Sequence, residues 1–215
     1  HQPWAMLLDT CKNQLSDGRY DIIVHSPIAK LMVRNQQVIE SAEQEWLSLL
    51  SPSLTEASTC PFERLETIHA RFKLMLTVDI DSSLPFLCGA LGYFNYDLNV
   101  HLDGIKDRNP AQYTTPDFAV GIYDQSLIFD NQTGKVFCCY INNQRSLLLR
   151  EPADFDSNDS APMPAFEQCS TWRANMTEAE YHEKLKKVDD YLHAGDCYQI
   201  NFAQRFEAEY RGSEW

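Results

Sequence analysis

The sequence is short of basic residues and has no long apolar run, and both shortages exclude classes of protein. Its 18 lysines and arginines are outnumbered by 31 aspartates and glutamates, which gives a formal net charge of −13. Nucleic-acid binding requires a basic surface, so we exclude it. A transmembrane helix needs about 20 consecutive apolar residues, and neither such a run nor a signal peptide is present. We therefore expect no nucleic-acid partner and no membrane contact.

The usual signatures of metal sites and nucleophilic catalysis are also missing. No two histidines stand at i,i+4, and the seven cysteines show neither a CxxC pair nor zinc-finger spacing. GxSxG, GxxxxGK[ST] and a GxGxxG motif after a strand are absent too. We predict no metal site and no catalytic group from these residues alone. We interpret the cysteines as free thiols of a reducing, cytoplasmic compartment.

The residues that are present predict a globular, β-rich α+β protein. Hydrophobic residues make up 44% of the chain and charged residues 23%, which is typical of a packed domain. Strands are predicted in "PWAMLLD" and "YDIIVHSPIAKLMV", and hairpins in "VRNQQVIES" and around the turn "DNQTGK". "PFERLETIHARFKLMLT" has its apolar residues at helical spacing and predicts an amphipathic helix. "GALGYF" predicts a further strand.

A stretch rich in proline and acidic residues interrupts these patterns and predicts the domain organisation. We predict a first domain over residues 1–150, a linker over 151–172, and the start of a second, truncated domain over 173–215. In the second domain Thr177 and Glu180 form a capping box, and Gly195 stands where a helix C-cap belongs. These residues predict one helix between the capping box and Gly195.

Strict alternation after this helix predicts one long strand from Tyr198 to Tyr210. Its backbone groups need partner strands, which could come from the first domain, another chain or sequence absent here. Its polar face, with Gln199, Asn201 and Arg205, could line a cleft for an anion or could simply face solvent. The residues leave both alternatives open.

Several segments carry a family resemblance. "HAGDCYQINFAQRF", preceded by "MTEAEYHEKLKKVDDYL", resembles the start of the chorismate-binding domain shared by the large subunits of anthranilate synthase and aminodeoxychorismate synthase. "PWAMLLDT", "GRYDIIV", "GALGYFNYDL" and "PDFAVGIYD" resemble the N-terminal region of the same family. Asn-Phe-Ala-Gln after Cys-Tyr-Gln favours the aminodeoxychorismate branch. The resemblance implies an α+β fold, antiparallel and β-rich, of the four-layer anthranilate-synthase-like type, of which this chain holds the N-terminal part.

The resemblance also implies an activity. Family enzymes of this branch convert chorismate and ammonia to 4-amino-4-deoxychorismate for p-aminobenzoate and folate synthesis, with Mg²⁺ and a glutamine amidotransferase subunit. The family's catalytic and magnesium-binding segments lie downstream, so we expect the catalytic residues beyond Trp215 and no activity of this chain alone. The alternatives are an anthranilate synthase component I of tryptophan synthesis and a non-catalytic tryptophan-binding regulatory module.

A tryptophan site is the one family site that the resemblance places in this chain. Family members bind tryptophan through an "LLxS" segment and the residues leading into "RY" or "RF". The matching positions here are Thr10, Asp17, Gly18, Arg19 and Tyr20. The Thr10 hydroxyl could bond the amino or carboxylate group of the ligand, whereas Asp17 replaces an aromatic residue of some members. Packing at a strand end is the alternative role for Thr10 and Tyr20.

Overall fold

A computed structural model of the chain divides into two compact units, His1–Asp154 and Phe155–Trp215. It describes residues 4–10, 18–35, 37–50, 60–76, 83–96, 98–99, 115–142, 144–150 and 164–213. Across these described ranges, no helix combines the length and the apolar character that crossing a membrane requires.

Two antiparallel sheets form the first unit. The five-stranded sheet has the order β1-β2-β7-β8-β9, with β1 at Met6–Leu8, β2 at Tyr20–Val24, β7 at Gln125–Asp130, β8 at Lys135–Ile141 and β9 at Leu147–Arg150. The four-stranded sheet has the order β4-β3-β6-β5, with β4 at Gln37–Ala42, β3 at Ala29–Arg34, β6 at Phe118–Tyr123 and β5 at Gly89–Phe94.

Both predicted hairpins are present, and local turn chemistry explains them. Strands β3 and β4 pair from Ala29↔Ala42 to Arg34↔Gln37, and Asn35 between them adopts a left-handed conformation with φ of 50°. Strands β7 and β8 pair from Gln125↔Tyr140 to Asp130↔Lys135. Gly134 supplies the left-handed residue of that turn, with φ of 69°.

The apolar run that leads into the DNQTGK turn, residues 118–130, forms two strands in different sheets. Strand β6 is buried throughout in the four-stranded sheet, whereas β7 belongs to the five-stranded sheet. The break falls at Asp124, whose carbonyl accepts a hydrogen bond from the Ile141 backbone N at 2.8 Å. Alternation cannot reveal such a break, because both halves are apolar and extended.

Helix α1 (Pro61–Leu74) lies where the sequence predicted a helix, with proline at its first turn. Its apolar face packs on the four-stranded sheet and on a 3₁₀ helix (Gln44–Leu49). Arg64 of α1 is buried but donates two hydrogen bonds to the carboxylate of Glu40 on β4, so its charge is paired. The core around it includes Ile28, Leu31, Val33, Trp46, Leu49, Ile68, Phe72, Leu98, Phe118, Val120 and Ile122.

The second unit contains helix α2 (Glu178–Ala194) and four two-residue strands. The predicted capping box is present: Thr177 Oγ1 accepts from Glu180 N at 3.3 Å, and Glu180 Oε2 accepts from Thr177 N at 2.7 Å. Gly195 ends the helix in the left-handed conformation, with φ of 76°. The strands are β10 (Glu167–Gln168), β11 (Arg173–Ala174), β12 (Phe206–Glu207) and β13 (Tyr210–Arg211).

The prediction of one strand from Tyr198 to Tyr210 is wrong. Only its last part is paired: β12 pairs with β11, and β13 pairs with β10. The partners therefore come from residues 167–174 of the same unit. The partner strands β10 and β11 are each two residues long, so they cannot supply hydrogen bonds to the backbone of a thirteen-residue strand. The residues from Tyr198 to Arg205 therefore belong to no strand.

Part of the predicted linker, 151–172, is therefore structured. Residues 167–168 form β10, while residues 151–163 lie outside the described part of the chain. The assignment of domains at 1–150 and 173–215 stays a prediction.

Candidate ligand pocket at the start of the five-stranded sheet

An open surface pocket with a volume of about 450 Å³ lies where β1 ends and β2 begins. The two strands are antiparallel, with Met6 opposite Val24 and Leu8 opposite Ile22, so the end of β1 meets the start of β2. The size falls in the range of small-molecule sites. The lining residues are Leu7, Leu8, Asp9, Thr10, Tyr20, Ile22 and Pro85.

The pocket wall is mostly apolar, and exposed leucines contribute to it. Leu7 and Leu8 are 43% and 50% exposed although both are large and hydrophobic. Ile22 of the wall packs with Val24 and the fully buried Tyr123. An apolar surface at the mouth of a cavity, supported by a rigid cluster, suits an aromatic or aliphatic group of a small ligand.

The carboxylate of Asp21, which does not line the pocket, holds the hydroxyl of Thr10, which does. Asp21 Oδ1 accepts hydrogen bonds from Thr10 N at 3.0 Å and from Thr10 Oγ1 at 2.9 Å. Asp21 Oδ2 accepts from Asn131 Nδ2 at 2.8 Å. These bonds, that of Asn131 first, hold the pKa of Asp21 below its ordinary value, so the group is ionised at neutral pH.

Arg19 is turned away into an ion pair. Its Nε and Nη2 donate to Asp130 Oδ1 at 3.0 Å and Oδ2 at 2.6 Å, a bidentate arrangement. The guanidinium also lies over the Tyr20 ring, 4.8 Å from its centroid. The Arg19 carbonyl accepts from Asn131 N at 2.8 Å, so the β7–β8 turn is fastened to the start of β2.

The structure brings together most of the residues that the family resemblance singled out. Thr10 and Tyr20 line the pocket, and the Gly18 carbonyl accepts from Thr10 Oγ1 at 3.2 Å. Arg19 lies beside the pocket but its charge is used by Asp130. Asp17 lies outside the described residues. Their assignment as tryptophan-binding residues stays a prediction.

Sequence reasoning missed Asp21, Asn131 and Asp130, which organise the pocket from behind. Asn131 was visible only as a turn residue, and no sequence pattern marked the two aspartates. Their contacts join positions 110 and 111 residues apart in sequence, so no local pattern could reveal them.

The polar face suggested for the second unit does not build an anion site. Gln199 Nε2 donates to Asn201 Oδ1 at 3.3 Å, and Arg205 Nε lies 2.8 Å from Glu207 Oε1. The cation is therefore neutralised by its own neighbour. In the part of the chain that the structure describes, no group of three or more histidine, cysteine, aspartate or glutamate residues could hold a metal ion.

Comparison with known proteins places these features in a family. The family model for chorismate binding enzymes matches residues 5–215. Aminodeoxychorismate synthase component 1 of Klebsiella aerogenes is 40% identical, and that of Escherichia coli K12 is 36% identical, each match covering 100% of this chain and 44% of the relative. Anthranilate synthase component 1 of Aquifex aeolicus is 30% identical over 62% of this chain and 30% of its own length.

A solved structure, anthranilate synthase component I from Streptococcus pneumoniae TIGR4, resembles this chain with a TM-score of 0.57 at 16% identity, over 94% of this chain and 45% of that structure. At this identity the likeness shows the fold alone. It confirms the predicted antiparallel, β-rich α+β fold of the anthranilate-synthase-like type. The chain spans about 44% of the length of the curated relatives that it matches. By its sequence and its fold, the chain belongs to the family of chorismate binding enzymes.

Proposed function

We propose that this chain is the N-terminal part of an aminodeoxychorismate synthase component 1. The observation that supports this is the identity of 40%, 36% and 34% to three such proteins, each match covering the whole chain. The protein would convert chorismate and ammonia to 4-amino-4-deoxychorismate in p-aminobenzoate and folate synthesis. A glutamine amidotransferase subunit would supply the ammonia, and the reaction would take place in the cytoplasm.

This chain would contribute binding and not chemistry. Its described residues offer no cluster that fits Mg²⁺, so they do not fit the metal that the activity implies. We therefore assign no catalytic step to them, and we propose that the catalytic residues belong to the part of the relatives' length that this chain does not span.

The experiment is a product assay on the complete gene product that contains this chain, supplied with chorismate, Mg²⁺ and ammonium. We expect 4-amino-4-deoxychorismate, identified by mass spectrometry and by conversion to p-aminobenzoate with a lyase. The 215-residue chain serves as the control and is expected to form no product. Formation of anthranilate would contradict the proposal and favour the anthranilate synthase alternative.

We further propose that the pocket at the start of the five-stranded sheet binds tryptophan. Leu7, Leu8 and Ile22 offer an apolar wall for the indole ring, and Thr10 offers a hydroxyl for the polar end of the ligand. The carboxylate of Asp9 at the lining favours an ammonium group.

Calorimetric titration of the 215-residue chain with L-tryptophan tests this. We expect binding that Leu7→Asp abolishes and that Leu74→Asp leaves unchanged, because Leu74 is 87% exposed at the end of helix α1, among residues that do not line the cavity. Equal binding by both variants, or none by the unsubstituted chain, would contradict the assignment. Binding without any synthase activity of the complete protein would instead favour a regulatory tryptophan-binding module.

A further inference from the structure

The hydrogen-bond partners of the Thr10 hydroxyl determine whether it can donate to a ligand in the pocket or accept from it. A hydroxyl has one proton and two lone pairs. The Thr10 proton has two acceptors within reach, Asp21 Oδ1 at 2.9 Å and the Gly18 carbonyl at 3.2 Å. Neither Gly18 nor Asp21 lines the pocket, and the ionised carboxylate is the stronger acceptor of the two. The Thr10 proton is therefore used within the protein, which leaves the lone pairs of Oγ1 for a ligand in the pocket.

This direction holds only while Asp21 keeps its orientation. Rotating the carboxylate would take Oδ1 away from Thr10. The Thr10 backbone N holds Oδ1 at 3.0 Å, and the bond to the second oxygen adds an independent restraint against rotation. Oδ2 accepts from Asn131 Nδ2 at 2.8 Å, across 110 residues of sequence. Asn131 is itself fixed through its backbone N, which donates to the Arg19 carbonyl at 2.8 Å.

We propose that Asn131 is a positioning residue for the pocket: it orients the Asp21 carboxylate so that the Thr10 hydroxyl accepts a hydrogen bond from the ligand instead of donating one. The inference rests on the proposed tryptophan pocket and deepens it. It assigns the ligand a donor at this position, which an amino acid supplies as its ammonium group. It also predicts discrimination against ligands that present only an acceptor there.

Ionisation of Asp21 is part of this arrangement. The Asn131 bond is the main reason that the pKa of Asp21 lies below its ordinary value of 3.8. The other charged or titratable side chains of the elements that meet here are Asp9, Arg19, Tyr20, Asp130, Lys135, Cys138, Cys139 and Tyr140, and Arg19 is paired with Asp130. Without the Asn131 donor, Asp21 would take up a proton at a higher pH, and the Thr10 hydroxyl would lose the stronger of its two acceptors and keep only the Gly18 carbonyl.

Two variants of Asn131 test the proposal. Asn131→Asp keeps the shape of the side chain but replaces the donor by a carboxylate, and Asn131→Leu removes polarity altogether. Gln132→Ala is the matched control, since Gln132 lies in the same turn with an exposed side chain and contributes only its backbone N, to Asp130. Gln132→Ala leaves that backbone hydrogen bond in place. The control therefore shows whether a side-chain change anywhere in the turn is enough to weaken binding.

The first measurement is L-tryptophan affinity by calorimetry between about pH 4 and about pH 7.5. We expect both Asn131 variants to bind about tenfold more weakly at neutral pH, as for loss of one hydrogen bond to a charged group. Their affinity should fall more steeply towards pH 4 than that of the control and of the unsubstituted chain. A role in folding alone would weaken binding equally at every pH, and that result would overturn the proposal.

The second measurement needs no ligand. Carbon-detected NMR titration gives the pKa of Asp21, and the backbone amide shift of Thr10 reports its hydrogen bond. We expect Asn131→Leu to raise that pKa and to move the Thr10 amide upfield, with Gln132→Ala changing neither. Unchanged signals in Asn131→Leu would overturn the inference. If the NMR signals change as expected but tryptophan does not bind, the proposed ligand is wrong and the role of Asn131 in orienting Asp21 stands. The two failures are therefore distinguishable.

Discussion

Asp130 is a single carboxylate that ties three parts of the first unit together. It accepts from Arg19 Nε and Nη2 and from the backbone N of Gln132 at 3.0 Å and of Thr133 at 3.3 Å. These donors, Arg19 above all, hold the pKa of Asp130 far below its ordinary value of 3.8. A carboxyl of lowered native pKa stabilises the fold above its unfolded pKa, and this contribution is lost as the pH falls through the native value.

Asp130→Asn should therefore lower the free energy of unfolding at neutral pH. The deficit should shrink as the pH falls below about 5, because the carboxyl of the unfolded chain takes up a proton while the native carboxylate is still ionised, and it should vanish only below the native pKa. Urea denaturation at several pH values measures both quantities. The matched control is Glu183→Gln, which removes one exposed carboxyl of helix α2 and should change little. A deficit that stays constant with pH would contradict this account of Asp130.

Tyr123 is a buried phenol with one polar contact. Its side chain has 0% exposure, burial raises its pKa to about 12, and its hydroxyl donates to the Trp4 carbonyl at 3.0 Å. Tyr123→Phe keeps the ring but leaves that carbonyl without this donor. We expect a loss of about 1 kcal/mol in the free energy of unfolding, measured by urea denaturation. Tyr96→Phe, at a tyrosine 91% exposed, is the control, and an equal effect of both would contradict the role of the hydrogen bond.

At the scale of elements, local signals determined how much could be predicted. Helix α2 was predicted at both ends, because the Thr177–Glu180 box and Gly195 act within one turn of each terminus. The β7–β8 hairpin was predicted from its turn residues for the same reason. The strand break at Asp124 and the short pairing after Tyr198 were not, because each depends on which distant backbone supplies hydrogen bonds. The pocket contacts of Asp21 and Asn131 escaped sequence reasoning for that same reason.

The capping box makes a prediction for helix α2 alone. Thr177→Ala removes the side-chain acceptor of the Glu180 backbone N and should cost about 1 kcal/mol of helix stability. Thr177→Ser keeps the hydroxyl and is the matched control. Amide hydrogen exchange should become faster in the first turn, from Glu178 to Tyr181, in the alanine variant only. Similar exchange in both variants would show that the hydroxyl does not stabilise this terminus.

At the scale of the whole molecule, burial is distributed unequally between the two units. Both hydrophobic clusters lie in the first unit, and they include the fully buried Val24, Val33, Phe118 and Tyr123. In the second unit, residues 164–213 include none that is buried, and helix α2 keeps Leu185 and Leu192 37% and 40% exposed. Since burial of apolar surface is the main stabilising term, the first unit should carry most of the stability.

Two separate pieces of the chain test this inequality. Residues 1–154 should unfold cooperatively in urea with a midpoint close to that of the whole chain. Residues 155–215 should show little helix by far-UV circular dichroism, because the 17 residues of α2 form a marginal helix without packing of its apolar face. Trifluoroethanol favours helix formation, so adding it should restore the helix in the second piece. This control shows that the sequence of α2 can form a helix when packing is not required. A cooperative transition in the second piece, or none in the first, would show that stability is distributed differently from burial.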